Sequence, residues 1–252
     1  MPRTERDPLT LLAEAREQPI WYHTIELTPE YTTPGHVDLR PVAARVLPAR
    51  LDGLRALDIG TYDGFWAFEL ETRGASEVLA ADLETWDIGS WPPKTRVELR
   101  ESFSDIAPGD RFRIAHALRD SSVRHLDSSI YALDRESLGG AVDFAVIGAL
   151  LLHLRDPVGG LEATRAVLRP GGRLLVVEPF DLLATMLRPR TPYARLRAHT
   201  TRWDWWLGNL ACLHHYLTIA GFEAVHRRHF FRIQAVKEMR TLYVALEARV
   251  AQ

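Results

Sequence analysis

Short apolar runs alternate with amphipathic stretches along most of the chain. Four to eight apolar residues between turn residues are typical of a buried strand, whereas apolar residues spaced three and four apart are typical of a helix face. The predicted strands are Leu54–Ile59, Glu77–Ala81, Ser122–Asp127, Val142–Ile147, Arg173–Val177, Glu223–Ile233 and Glu238–Glu247. The predicted helices are Pro8–Glu17, Val37–Leu47, Gly64–Gly74, Arg111–Leu118, Pro157–Leu168 and Asn209–Ala220.

Strand–helix alternation of this kind predicts an α/β fold. Because strand–helix–strand crossovers are right-handed, the pattern favours a Rossmann-like, doubly wound sheet of seven mostly parallel strands with one antiparallel edge strand. Its ligand crevice is expected at the carboxyl ends of the strands. We expect residues 1–50 to form an N-terminal cap, residues 51–252 to form the Rossmann-like domain, and a lid to cover about 180–210.

Composition limits the cellular compartment and the binding partners that are expected for this protein. The 252 residues carry a formal net charge of -2, so there is no global basic field of the kind that nonspecific nucleic-acid binding requires. Cys212 is the only cysteine, which excludes an intrachain disulfide and a multi-cysteine metal site. The N-terminus lacks the apolar stretch of a signal peptide, and no apolar run reaches the roughly 20 residues of a spanning helix. A cytoplasmic protein without a membrane partner is expected, and a homo-oligomer is left open.

The main motif is the segment Asp58-Ile-Gly60-Thr-Tyr62-Asp-Gly64, which joins the first core strand to the next helix. Glycines at such a turn let the backbone approach a ligand, and a carboxylate after the second strand, here Asp82, is placed to bind ribose hydroxyls. Tyr62 stands where a dinucleotide-binding motif has its middle glycine, which disfavours a pyrophosphate. The motif therefore favours an adenosine cofactor of another kind.

With the segments FAVIGALLLHLRDP and LRPGGRLLVVEP, the motif resembles class I S-adenosylmethionine-dependent methyltransferases over about Arg55 to Phe231. The resemblance implies S-adenosylmethionine as cofactor, with the methionine part along Asp58, Gly60 and Gly64 and the ribose on Asp82. It also implies an adenine edge at Ser129 and Ile130 and a backbone approach at Gly148. The full set of implied cofactor residues is Asp58, Gly60, Thr61, Tyr62, Gly64, Asp82, Leu83, Ser129, Ile130 and Gly148.

The layout is also similar to the subgroup that contains the tRNA wobble-uridine carboxymethyltransferases. The segments that carry this likeness are LDIGTYDGFWAFELETRGASEVLAADL and WWLGNLACLHHYLTIAGFEAV. The upstream segment WYHTIEL and the aromatic lid WDWWLGN differ from what is expected of the tRNA enzymes. The acceptor therefore does not follow from the subgroup.

Methyl transfer from a sulfonium needs alignment, exclusion of water and, for a hydroxyl acceptor, removal of a proton. No metal is required. Candidate bases are His153 after the fourth core strand, Glu178 at the end of the fifth, and His23 in the N-terminal extension. Packing against a helix is an equal alternative for His153. Candidate substrate-binding residues are Trp21, Trp205 and Asn209.

Three functions remain open. The first is O-, N- or C-methylation of a small, aromatic or natural-product acceptor, favoured by the aromatic lid and the near-neutral charge. The second is tRNA modification, favoured by the subgroup resemblance and by the lid arginines Arg188, Arg190, Arg195, Arg197 and Arg202. The third is a noncatalytic regulator that keeps the cofactor site.

Overall fold

A computed structural model describes residues 7–85, 90–102, 107–198, 204–234 and 240–252. The helices are α1 (Pro8–Glu17), α2 (Arg40–Val46), α3 (Phe65–Thr72), α4 (Pro93–Ser102), α5 (Asp110–Leu118), α6 (Pro157–Val167), α7 (Leu182–Leu187) and α8 (Leu210–Ile219). The strands are β1 (Glu26–Thr28), β2 (Tyr31–Thr32), β3 (Arg55–Ile59), β4 (Glu77–Asp82), β5 (Arg124–Asp127), β6 (Val142–Gly148), β7 (Leu168–Pro179), β8 (Ala194–Leu196), β9 (Trp206–Gly208), β10 (Glu223–Gln234) and β11 (Arg240–Arg249).

The central sheet has seven strands in the order β10-β11-β7-β6-β3-β4-β5. The five strands from β7 to β5 are parallel. Antiparallel pairing is confined to one edge, where β11 inserts between β7 and β10. The predicted Rossmann-like sheet, mostly parallel with an antiparallel edge, is therefore confirmed. Residues 238 and 239, where the last predicted strand begins, lie outside the described residues.

Both faces of the sheet are covered, which explains why its parallel strands are almost continuously apolar. Ala56, Phe144 and Val146 point into one buried cluster, and Leu57, Ala145 and Ile147 point into the other. β7 begins at Leu168, earlier than predicted, because Leu168 already pairs with Val142 of β6. Helices α4 and α7 and the two-stranded sheets β1–β2 and β8–β9 were not predicted.

The N-terminal segment packs into the same core as the sheet. Trp21, Ile25 and Val42 are buried in the cluster that contains the β3 and β6 side chains. His23 forms a parallel bridge with Val37. A Cβ on Gly35 would lie 2.2 Å from the carbonyl carbon of His23, so only glycine lets these two backbone segments run this close. The N-terminal segment is therefore joined to the core of the sheet through buried apolar side chains.

No helix in the described part of the chain is both long and apolar enough to cross a membrane.

Candidate cofactor and acceptor site

A cavity of about 600 Å³ opens at the carboxyl ends of the parallel strands. Its floor is formed where β3, β4 and β6 end, by Gly60, Asp82 and Gly148. The register explains this convergence, because Ile59 lies opposite both Ala81 and Ile147 in the neighbouring strands. A cavity of this volume falls in the range of small-ligand and cofactor sites.

The loop after β3 turns sharply through left-handed backbone. Gly60, Tyr62 and Gly64 have φ values of 78°, 53° and 94°. A Cβ on Gly64 would lie 2.3 Å from the ring of Phe68, so this glycine is needed for packing as well as for conformation. Because of the turn, the loop backbone passes over the end of β4.

Asp82 fixes this loop and faces the cavity. Its Oδ2 accepts the N–H of Tyr62 at 2.7 Å, and its Oδ1 accepts the N–H of Leu83 at 2.7 Å. Burial raises the pKa of the Asp82 carboxyl. Each oxygen keeps further acceptor capacity, so the side chain suits the paired hydroxyls of a ribose.

Seven of the ten predicted cofactor residues line the cavity. They are Gly60, Tyr62, Asp82, Leu83, Ser129, Ile130 and Gly148. Gly148 lies against Trp66, since a Cβ there would be 2.2 Å from the indole Nε1. The backbone at Gly148 therefore passes close to the indole of Trp66.

The other three, Asp58, Thr61 and Gly64, do not line the cavity. Asp58 is fully buried, and its Oδ2 accepts the N–H of Ala67 at 3.0 Å in the first turn of α3. Burial raises the pKa of Asp58 to about 7. These three residues lie behind the cavity lining and shape the loop and the start of α3.

His23 lines the cavity and is held by a buried carboxylate. Its Nδ1 lies 2.5 Å from Oδ1 of Asp63, and its backbone N–H donates to Oδ2 of Asp63 at 2.8 Å. The ring also stacks on Phe65 with a centroid distance of 5.1 Å. In the described part of the chain, no hydrogen-bond partner is found for Nε2. The pair is thus arranged as a histidine with one nitrogen fixed and the other available.

His153 also lines the cavity, where its ring lies 5.1 Å from that of Trp91. It ends a short 3-10 turn, Leu151–His153, that follows β6. Two of the three predicted bases, His23 and His153, are therefore brought to one cavity by the fold, although 130 positions separate them in sequence.

Glu178, one of the predicted bases, is buried behind the cavity wall. The residue is 1% exposed and lies outside the cavity lining. Its Oε1 accepts the N–H groups of Leu150 at 2.8 Å and Leu151 at 2.7 Å. Burial raises the pKa of Glu178 to about 8. The carboxyl group ties the loop after β6 to β7.

The predicted substrate-binding residues Trp21, Trp205 and Asn209 do not line the cavity either. Trp21 is buried, and its Nε1 donates to the carbonyl of Ala15 at 2.9 Å. Asn209 is fully buried at the start of α8, where its Oδ1 accepts the N–H of Cys212 at 2.8 Å. Both are structural residues, because their polar groups are used within the fold.

Trp205 belongs to the lid segment and joins it to the rest of the wall. Its Nε1 donates to the carbonyl of Ser90, and the guanidinium of Arg155 lies 5.2 Å from its ring. The neighbouring residues Asp204 and Leu207 line the cavity instead. The predicted lid therefore does contribute to the wall, but through other side chains.

Sequence reasoning missed Asp63, which holds His23, and several residues of the cavity wall. Asp63 lies inside the glycine motif, which was the available signal, but its partner is 40 positions upstream. The missed wall residues include Arg111, Trp66, Trp91 and Tyr243. Nothing in the sequence singled out Arg111, because it sits in an ordinary helical pattern.

The lid arginines are largely engaged within the protein. Arg197 lies 3.0 Å from Asp204, and Arg195 lies 3.4 Å from Asp181. The guanidinium of Arg188 lies 4.8 Å from the ring of Tyr193. Arg202, like Trp203, lies outside the described residues. Among the described residues there is no group of three His, Cys, Asp or Glu side chains that could hold a metal.

Comparison with known families decides what kind of domain this is. A family model described as a methyltransferase domain matches residues 35–227. The chain belongs to this methyltransferase family. The predicted relationship to S-adenosylmethionine-dependent methyltransferases, and S-adenosylmethionine as the cofactor of the family, are thereby confirmed.

Two curated relatives are named tRNA U34 carboxymethyltransferase. The protein from Pseudoalteromonas translucida is 27% identical over 83% of this chain and 56% of its own length. The protein from Azotobacter vinelandii is 28% identical over 69% of this chain and 47% of its own length. The chain thus spans about half the length of these relatives.

Solved structures share the fold at low identity. The N-terminal domain of EvdMO1, solved with S-adenosylhomocysteine, is 17% identical with a TM-score of 0.64, covering 99% of this chain and 100% of that one. The 1,6-didemethyltoxoflavin-N1-methyltransferase of Burkholderia thailandensis is 19% identical with a TM-score of 0.53, covering 85% and 78% of the two chains. At these identities the likeness concerns the architecture.

Proposed function

We propose that this protein transfers a methyl group from S-adenosylmethionine to a small aromatic or natural-product acceptor, at an oxygen, nitrogen or carbon atom. The observation that carries the proposal is the composition of the cavity. Residues that fit the cofactor line its floor, and its wall is mostly apolar and aromatic. Trp66, Trp91 and Tyr243 are on that wall. Flat aromatic walls suit a planar, weakly charged molecule.

We place the catalytic domain at residues 51–252, with residues 1–50 as a cap that supplies part of the active site. His23, from the cap, reaches the cavity through its contact with Asp63 in the glycine loop. The lid segment at about 180–210 contributes Arg197, Asp204 and Leu207 to the wall. Both segments restrict access of water to the carboxyl edge of the sheet, which favours transfer to the acceptor over hydrolysis.

The residues present fit S-adenosylmethionine. Asp82 offers acceptor oxygens to the ribose, and Ser129 and Ile130 stand at the end of β5, where the adenine edge is expected. The backbone at Gly60 and Gly148 lines the cavity at the strand ends. When bound, the cofactor supplies an electrophilic sulfonium methyl group.

His23 is the proposed general base. Asp63 accepts a hydrogen bond from Nδ1–H, so the lone pair of the neutral imidazole resides on Nε2. That nitrogen can remove a proton from an acceptor hydroxyl or amine while the carboxylate stabilises the imidazolium that results. His153, next to Trp91, is proposed to position the acceptor.

A specific finding supports a second candidate, modification of tRNA: the curated relatives are named tRNA U34 carboxymethyltransferase. Against it stands the lid, where Arg195 and Arg197 are already paired with acidic residues and so offer less charge to phosphates. The small-molecule acceptor is therefore our first choice.

The experiment is transfer of labelled methyl from S-adenosylmethionine to two acceptor pools, total tRNA and a small-molecule extract of the source cells. Label in the extract supports the proposal, and the mass of the product identifies the acceptor. Label in tRNA, or a carboxymethyl product with a carboxylated cofactor, replaces it with the second candidate. Cofactor binding without transfer to either pool contradicts both and favours a noncatalytic regulator.

With the acceptor in hand, His23→Gln and Asp63→Asn test the base. Both are expected to lower kcat roughly 100-fold or more and to leave the Kd for S-adenosylhomocysteine unchanged. His36→Gln is the matched control, because His36 is exposed in the same segment. A kcat of His23→Gln equal to that of wild type would remove His23 from the mechanism.

A further inference from the structure

The guanidinium of Arg111 lies buried in the cavity wall, without a carboxylate partner in the part of the chain that the structure describes. Arg111 is 3% exposed and is among the lining residues. Its Nη1 has no hydrogen-bond partner, and among the described residues no carboxylate lies within 4 Å of the guanidinium. A buried, unpaired charge is strongly unfavourable, so such a group is retained where a ligand supplies the missing anion.

Tyr62 is its neighbour and has donor capacity of its own. Nη2 of Arg111 donates to the Tyr62 hydroxyl at 3.0 Å, and the guanidinium carbon lies 5.0 Å from the ring centre. Burial raises the pKa of Tyr62 to about 12, so the phenol stays protonated at neutral pH and its hydrogen is available to an acceptor. The two side chains together present N–H and O–H donors on one part of the wall.

The position of Tyr62 indicates which anion Arg111 would bind. The residue belongs to the loop between β3 and α3, and its backbone N–H is held by Asp82, the proposed ribose acceptor. The amino-acid end of S-adenosylmethionine is attached to the ribose through the sulfonium and ends in a carboxylate. A guanidinium fork is well matched to a carboxylate, because it can donate two parallel hydrogen bonds.

We propose that Arg111 and Tyr62 form a carboxylate subsite for the amino-acid end of the cofactor. The proposal rests on the proposed function only in taking S-adenosylmethionine as the ligand. It accounts for the tyrosine that replaces a glycine in the loop motif, and for a buried charged residue that has no ion pair with any described residue.

The test compares two probes that differ at the amino-acid end. S-adenosylhomocysteine carries the carboxylate, whereas 5′-methylthioadenosine has the same nucleoside without it. Isothermal titration with wild type and Arg111→Gln is expected to show a roughly 10- to 100-fold loss of affinity for S-adenosylhomocysteine and little change for 5′-methylthioadenosine. Tyr62→Phe is expected to give a smaller loss with the same selectivity, and Arg111→Lys an intermediate one.

Arg113→Gln is the matched control, since Arg113 lies on the same helix but pairs with Glu84 at 3.2 Å and with Asp110 at the surface. Far-UV circular dichroism and Tm check that each variant folds. An equal loss of affinity for both probes would overturn the subsite and indicate a structural role. No loss for either probe would overturn it as well. If the wild-type protein binds neither probe, the result contradicts the proposed function itself. This outcome is distinguishable from a failure of the carboxylate subsite alone.

Discussion

Glu178→Gln separates a structural carboxyl group from a catalytic one. Glu178 is buried, and its Oε1 accepts two backbone N–H groups from the loop after β6. Burial disfavours the charged carboxylate, so the protonated acid is the form expected in the fold. Glutamine keeps an oxygen of the same kind and a side chain of the same size, but it cannot ionise.

The size of the pH-dependent change in the free energy of unfolding follows from the pKa of Glu178. Burial raises the pKa of Glu178 from 4.5 to about 8 in the folded protein. Glu178 therefore stabilises the fold fully at pH values below its unfolded-state pKa. This stabilisation is lost as the pH rises through its folded-state pKa. One pH unit corresponds to about 1.4 kcal/mol, so the loss between pH 5 and pH 8 is at most about 4 kcal/mol. Asp58, whose pKa burial raises to about 7, acts in the same direction in both proteins and cancels in the comparison.

The assay is urea unfolding followed by tryptophan fluorescence at pH 5, 6, 7 and 8. The free energy of unfolding of wild type is expected to fall more steeply with pH than that of Glu178→Gln. The Kd for S-adenosylhomocysteine is expected to be equal in the two proteins, because Glu178 lies outside the cavity lining. Parallel pH profiles would show that Glu178 is ionised in the fold and refute the reasoning.

Asp82→Asn is expected to weaken S-adenosylhomocysteine binding roughly 10-fold or more in isothermal titration, because a carboxylate acceptor at the ribose is lost; unchanged affinity would remove Asp82 from the site. Gly148→Ala places a Cβ 2.2 Å from Nε1 of Trp66, so unfolding in urea is expected to show a loss of roughly 1–3 kcal/mol, and wild-type stability would disprove the close contact. Asn209→Ala removes the cap of α8, which costs about 0.5–2 kcal/mol, while the Kd for S-adenosylhomocysteine stays unchanged. A change in that Kd would return Asn209 to the binding site.

The local sequence determined the elements of the core and the outline of the cofactor site. Apolar runs such as Val142–Ile147 are buried on both faces wherever they pair, so their pattern alone indicates central parallel strands. The glycine loop and Asp82 follow two consecutive strands. Parallel strands end at a common edge, so the side chains that follow them meet there whatever the remaining topology.

Tertiary structure alone decided which polar side chains face the cavity. Glu178, Trp21 and Asn209 have the right chemistry and local positions, yet their polar groups are used up inside the fold. The pairing of His23 with Asp63 spans 40 positions and depends on how the N-terminal segment packs, and the burial of Arg111 depends on the ring of Tyr62. Periodicity reports which face of an element is buried, but not which distant groups meet it. Burial and partnership, which govern the pKa and reactivity of a side chain, are therefore fixed only when the chain has folded.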